Sequence, residues 1–321
     1  MAGNEVIVVT KDDVVFHMNV NNVSKMTELS ELSGKDVIKI VAGESHVCAL
    51  TSSGDVYVWG ENSCGQLGTG PESKHSSEKP VKLDLDLNNE KVVDIECGQC
   101  YTLVVTNAGQ VYGWGCSRKL GNGDIDGQSP PIKVMGLEGQ HLSGIACGYH
   151  HSVAVTDSGR VGYNQSNQLG LGHKTDQLIP VQNPYFNDIK VNKVVTGNHH
   201  TLLLSADGNV YAFGSNDYAQ LGTGSFDEQG TPYNPLIKHG PFVDIVAQKF
   251  NNISAAVTAN GGHFVWGKCR KPLGTLLSPT VVTGVDSIHD IIGLYAKTPA
   301  TYYSIDVSDG VDHPVLEALN S

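Results

Sequence analysis

Residues 56–70 read VYVWGENSCGQLGTG, an apolar run of strand type that ends in a glycine-rich loop. A glycine loop after a strand can cradle a phosphate, but it then has to open a helix inside a βαβ unit. No helical periodicity follows this one, and the stretch is not unique. HVCALTSSGDVYVWGEN is followed by YTLVVTNAGQVYGWGCS, HSVAVTDSGRVGYNQ, HTLLLSADGNVYAFGSN and ISAAVTANGGHFVWGKC. The turn glycines Gly54, Gly109, Gly159, Gly208 and Gly261 are separated by steps of 55, 50, 49 and 53 residues. Self-similarity at such a period marks a repeat architecture and outranks any single-motif reading.

Each copy obeys one grammar. A short strand-type run (VIKIVAG, VVDIECG, LSGIACG, NKVVTG) leads to a second run that ends in Thr or Ser. A two-residue turn of SSG, NAG, DSG or ADG type follows, hairpin chemistry that tolerates positive φ. A third run ends in an aromatic and a glycine, and a fourth carries proline, as in KPVKL, PPIKV and IPVQN. Proline suits a strand at a sheet edge, where its missing N–H costs nothing. Four short antiparallel strands per ~50 residues describe the blade of a β-propeller. The expected fold is therefore all-β, a propeller of four-stranded antiparallel blades, seven in number or six. Trp59, Trp114, Phe213 and Trp266 are expected as wedges between blades, and His46, His151 and His200, which share one slot with Tyr101, as satisfied blade histidines.

The ends fit the same grammar in part. Val15 and Phe16 stand where Val56 and Tyr57 do, with Met18 at the tryptophan position, and TYYSIDVSDG matches a second strand and turn at Gly310. Residues 1–310 are expected to form one propeller domain. The tail 311–321 reads as the start of a helix leading into a further domain. One unit departs from the pattern: Val161 runs straight into Gly162, which leaves no room for the aromatic.

Composition narrows the function. The net charge of −12 disfavours direct contact with nucleic acid. No apolar run approaches the length of a membrane helix, and MAGNEVIVVTKDD carries no targeting pattern. The 7 cysteines are expected to be reduced and mostly buried, in the cytoplasm or nucleus. The sequons at Asn22, Asn164 and Asn252 are then idle. Cys97 and Cys100 spell CxxC, but a second pair is missing and Cys97 falls on a repeat position, so neither a metal site nor a cofactor is expected.

The unit C-G-x-x-H-S-x-A-[LV]-T, x-x-G-x-V-Y-x-W-G, G-Q-L-G-x-G resembles the regulator of chromosome condensation repeat, with IACGYHHSVAV and DVYVWGENSCGQLGTG the nearest copies. That family implies a propeller, typically seven-bladed. The end of the chain, SAAVTANGGHFVWGKCRKP with VLEALNS, is similar to the subfamily in which the propeller precedes a BTB domain. The resemblance implies a non-catalytic protein-interaction scaffold, recruiting a partner to a BTB- and cullin-type ubiquitin ligase assembly. The alternative is a guanine-nucleotide exchange factor for a Ran-like small GTPase. A light sensor, the third role in the family, needs clustered tryptophans beyond blade positions.

Contact residues are expected on loops of one face, because a rigid scaffold displays recognition there. The candidates are Glu72 and Lys74 in the first long insertion, Phe226, Asp227 and Glu228 in the second, and His150 and His199, whose neighbours fill the blade-histidine slot. The acidic run at 84–90 reads as a solvated loop.

Overall fold

The computed structural model describes residues 5–19, 22–70, 75–87, 89–116, 120–123, 128–140, 142, 144–155, 160–162, 164, 166–236, 238–270 and 273–288. The chain starts with a three-stranded meander of β1 (Glu5–Val9), β2 (Val15–Asn19) and β3 (Asn22–Glu28). Blade 1 follows as β4 (Val37–Ala42), β5 (His46–Thr51), β6 (Val56–Gly60) and β7 (Ser77–Lys82). Blade 2 is β8 (Val92–Cys97), β9 (Tyr101–Thr106), β10 (Val111–Gly115) and β11 (Gln128–Lys133). Blade 3 is β12 (Gly144–Cys147), β13 (His151–Val155), β14 (Arg160–Gly162) and β15 (Gln177–Val181). Blade 4 is β16 (Val191–Thr196), β17 (His200–Ser205), β18 (Val210–Gly214) and β19 (Gln229–Tyr233). Blade 5 is β20 (Phe242–Ala247), β21 (Ile253–Thr258), β22 (His263–Lys268) and β23 (Thr275–Val282).

The expected count of seven blades, or six, is corrected. Among the described residues five four-stranded blades form, beside the three-stranded sheet. The physical reason lies in the first unit, which supplies counterparts of the second, third and fourth strands without an innermost one. The stretch around Gly310 and the tail 311–321 lie outside the described residues.

Every blade is an antiparallel meander. Consecutive first strands touch one another, β4 with β8, β8 with β12, β12 with β16 and β16 with β20, so they line the axis. The proline-bearing strands β7, β11, β15, β19 and β23 form the outer edges. The hairpins are one residue longer than expected. Residues 52–54 form a three-residue loop closed by the Thr51 N–H on the Asp55 carbonyl at 3.0 Å, with Gly54 at φ 90°. The same closure recurs from Thr106 to Gln110, Ser205 to Asn209 and Thr258 to Gly262.

A lone sheet cannot bury both faces, so the cores lie between sheets. Ile7, Val15, Leu29 and Leu32 of the meander pack on Val47, Ala49, Tyr57 and Trp59 of blade 1. The next core joins Cys48, Leu50, Val58 and Leu67 to Ile95, Val104 and Trp114 of blade 2. Similar clusters join blades 2 and 3, 3 and 4, and 4 and 5.

The shortened unit forms a short third strand. Strand β14 has 3 residues where its sisters have 5 or 6. Its pairing of His151 with Gly162 matches His46 with Gly60 and His200 with Gly214. The register is thus anchored at the glycine end, and Val161 stands opposite Ser152 where Trp114 stands opposite Thr102. Among the described residues of blade 3, Val161 holds the wedge position and no aromatic does.

Candidate functional site

The seams between blades use residues that repeat. The Trp114 indole N–H donates to the Gln66 carbonyl of the preceding blade at 2.9 Å, and Trp266 donates to Gln220 at 2.8 Å. A Cβ on Gly68 would stand 2.9 Å from the Trp114 ring, so the glycine of G-Q-L-G is needed for the wedge to seat. Trp114, Phe213 and Trp266 are fully buried, and Trp59 nearly so against the N-terminal meander.

The slot histidines reach across the same seams. His46 Nε2 lies 2.9 Å from Thr102 Oγ1, His151 Nε2 3.0 Å from Thr201 Oγ1, and His200 Nε2 2.9 Å from Ser254 Oγ. The Thr201 and Ser254 hydroxyls donate onward to the Gln168 and Gln220 carbonyls, both at 2.8 Å. Their protons are committed, so we assign the N–H to Nε2 of a neutral imidazole. Burial drives both rings toward that state, pushing His200 down to about 3 and His151 well below the usual imidazole range. Tyr101 fills the slot in blade 2 and accepts from the Ser152 hydroxyl of blade 3 at 3.1 Å. Val47 takes the hydroxyl position in blade 1, and Ile253 takes the histidine position in blade 5.

Two residues before that slot, the loops joining first to second strands converge on the axis. Their backbones bond from blade to blade: the Glu44 N–H to the Gln99 carbonyl, Gln99 to Tyr149, Tyr149 to Asn198, and Asn198 to Asn251, at 3.0 to 3.3 Å. Side chains complete this mouth. The Gln99 amide donates to Glu44 Oε2 at 2.9 Å and to the Tyr149 hydroxyl at 2.7 Å, and that hydroxyl donates to Glu44 Oε1 at 3.2 Å. The Tyr149 ring meets His150, His199 and Phe250 edge-on, at centroid distances of 4.4, 5.8 and 6.0 Å. His150 and His199 lie 5.6 Å apart. Burial and the Glu44 carboxylate push the Tyr149 phenol up, and burial pushes His199 down.

Beneath the mouth a half-buried ion cluster spans the axis. Lys249 of blade 5 bonds the Glu96 carboxylate of blade 2 and the Cys97 carbonyl, the latter at 3.0 Å. Lys39 of blade 1 reaches Glu96 at 3.0 Å and Asp94 at 2.7 Å. Burial works against the charged form of Glu96, but the two lysines outweigh it and hold the carboxyl below its ordinary range. Both lysines are in turn held charged by these carboxylates against the opposing effect of burial.

The sequence-expected candidates are distributed as follows. His150 and His199 come together in the mouth. Phe226 is exposed, and Glu228 pairs with Lys174 at 2.5 Å, while the Asp227 carbonyl accepts from the Asn216 amide at 2.9 Å. The loops that carry them begin beside the mouth, since the Ser215 N–H donates to the His199 carbonyl at 2.9 Å. Glu72 and Lys74 lie outside the described residues. Sequence reasoning missed Glu44, Gln99, Tyr149, Glu96, Lys249 and Phe250. A signal existed: residues 248–252 form a loop two residues longer than its sisters, and the excess delivers Lys249 and Phe250 to the axis. The expectation that all cysteines are reduced is corrected by the Cys100–Cys116 disulfide, which joins the residue before β9 to the residue after β10.

A family model described as RCC1-like domain matches residues 3–290. The ultraviolet-B receptor UVR8 of Arabidopsis thaliana is 30% identical over 263 residues, 80% of this chain and 59% of the receptor. The E3 ubiquitin-protein ligase HERC2 of Homo sapiens is 34% identical over 244 residues, 74% of this chain and 5% of the ligase. The chain therefore spans less than two thirds of either relative. Among solved structures, human WBSCR16 superposes with a TM-score of 0.68 at 22% identity, covering 84% of this chain and 70% of that one. Prp20p of Saccharomyces cerevisiae, described with its binding to Gsp1p and histones, superposes with a TM-score of 0.65 at 20% identity, covering 78% and 66%. These two likenesses show the fold alone.

Proposed function

The chain belongs to the RCC1-like domain family, and from that membership we propose that it is a non-catalytic protein-interaction propeller whose axial mouth and adjoining loops bind one partner. One observation carries the reading. Seam positions repeat from blade to blade, whereas the mouth places a carboxylate, an amide, a phenol, two imidazoles and a phenyl ring at positions the repeat does not dictate. Glu44 is exposed at the entrance, and the chain is acidic overall. A basic segment of a partner protein matches that chemistry, with its cation on Glu44 and its aliphatic stem on Tyr149 and Phe250. The flanking loop at 225–235, with Phe226 at its tip, would extend the contact.

The test is capture of partners by the full chain and by Glu44→Lys and Tyr149→Ala variants. Loss of the same partner from both, with an unmoved melting temperature, supports the reading. Undiminished capture by both refutes it.

Two finer readings go with this one. Recruitment to a BTB- and cullin-type ubiquitin ligase, with residence in cytoplasm or nucleus, rests on the sequence resemblance, and co-purification of a cullin with the product of the whole gene tests it. Exchange activity on a Ran-like GTPase draws on the likeness to Prp20p, and catalytic acceleration of nucleotide release from such a GTPase would favour it. Light sensing draws no support here, since Trp59, Trp114 and Trp266 sit in three separate clusters.

A further inference from the structure

Three cysteine sulfurs meet on the rim of the same face. Cys64, in the G-Q-L-G loop of blade 1, is exposed and carries a free thiol. Its sulfur and those of the Cys100–Cys116 disulfide of blade 2 all lie within 4.8 Å of one another. Cys100 and Cys116 are half-buried, so the disulfide is open to a neighbour that approaches from the rim. The repeat makes the trio specific to this seam. The place of Cys64 is taken by Ser166 in blade 3 and Tyr218 in blade 4. Cys100 stands where His150 and His199 stand, and Cys116 where Ser215 and Lys268 stand.

The other blades show what the staple adds. The Cys116 N–H donates to the Cys100 carbonyl at 2.8 Å, as Glu61 does to Ser45, Ser215 to His199 and Lys268 to Asn252. That backbone bond closes the same corner in every one of these blades without a disulfide. The covalent bond is therefore not required to form the corner, and it lies beside a thiol able to displace it.

We propose that Cys64, Cys100 and Cys116 form a thiol–disulfide exchange site that moves a covalent staple from inside blade 2 to the seam between blades 1 and 2. The Cys64 thiolate attacks one sulfur of the disulfide. A bond forms from Cys64 to Cys100 or to Cys116, the Cys100–Cys116 bond breaks, and the displaced sulfur leaves as a thiolate that takes up a proton. Electrons balance without an external oxidant or reductant. Either product ties blade 1 to blade 2. Cys100 follows Gln99, whose amide bridges Glu44 and Tyr149, so the exchange acts on a loop of the axial mouth. Exchange of this kind needs only a thiol within reach of the disulfide, and Cys64 supplies it.

The experiment is disulfide mapping on the full chain. The protein is held near the ordinary thiol pKa, about 8.5, then acid-quenched, alkylated and digested without reductant. The expected result in the wild-type chain is two populations, one with Cys100–Cys116 and one with Cys64 joined to either partner. Cys64→Ser collapses these to Cys100–Cys116 alone, with an unchanged melting temperature. In Cys116→Ser, oxidised glutathione as the disulfide donor drives a Cys64–Cys100 bond. The proposal falls if Cys64 is alkylated in full while Cys100–Cys116 persists in the wild type. It falls equally if a folded Cys116→Ser chain leaves Cys64 and Cys100 unjoined under oxidised glutathione.

Discussion

Ser45, Cys100, His150 and His199 each precede, by one residue, His46, Tyr101, His151 and His200. In the second row the side chain turns into a seam, is buried, and meets a group on the next blade. In the first row it lies at the mouth or rim and its role varies: Cys100 is stapled to Cys116, whereas His150 and His199 both flank Tyr149. Adjacent positions of one loop thus divide the work, one holding the assembly and the other free to vary. Stability and recognition can therefore be altered separately in this chain.

The largest effect is expected from the seams. Trp266→Ala removes a fully buried indole and its bond to Gln220, a loss of about 3–5 kcal/mol in denaturant unfolding. Partner binding per folded molecule should stay unchanged. A loss below about 1 kcal/mol would break the claim that the wedges hold the blades together.

Acid comes next. The His200 pKa is depressed in the fold, so the neutral ring contributes its full stability above the unfolded value of about 6.5. That contribution is lost as pH falls from there toward the folded value of about 3. The slope is about 1.4 kcal/mol per pH unit for one histidine, or roughly 2 kcal/mol at about pH 5. His151, shifted in the same direction by burial, adds to it. Replacing His200 with Asn should flatten the acid limb of a stability–pH curve, and an unchanged limb would remove the assignment of a neutral buried ring.

The ion cluster ranks third. Lys249→Met leaves Glu96 with Lys39 as its remaining cation, an expected cost of about 1–2 kcal/mol. The double variant with Glu96→Gln should recover part of that loss, and unfolding of the single and double variants measures the coupling.

The smallest effect on stability should come from Tyr149→Phe, within about 0.5 kcal/mol, because it removes only a half-buried hydroxyl at the mouth. Its effect on partner affinity should be the larger one, read by titration calorimetry with the captured partner. Destabilisation by Tyr149→Phe with an unchanged partner affinity would invert the comparison.

The seams were legible from the sequence because repetition exposes them: an aromatic before a glycine, or a histidine in a fixed slot, recurs with the blade. The blade count was not, because the partial units at the two ends were expected to make up one or two further blades, and the first of them forms only a three-stranded sheet. The mouth was half legible. His150 and His199 stand out as doubled histidines, whereas Tyr149 and Glu44 sit at loop positions that no local pattern marks. Lys249 meets Glu96 across 153 positions of chain, and a pairing that long follows from the curvature of the whole assembly rather than from any local pattern. The disulfide was missed for a related reason, since Cys100 was weighed against Cys97 on spacing while its partner stands across a hairpin.

The relay of histidine to hydroxyl has a direction. Val47 opens it with no group to offer the unit before, and Ile253 ends it with no group to extend to a unit after. A duplicated copy of an interior unit, set between two existing ones, would find both of its counterparts waiting, whereas at either terminus of the relay it would find one or none. Among the described blades an interior unit is thus tied on both sides by this relay, whereas the units that bear Val47 and Ile253 are tied on one side only.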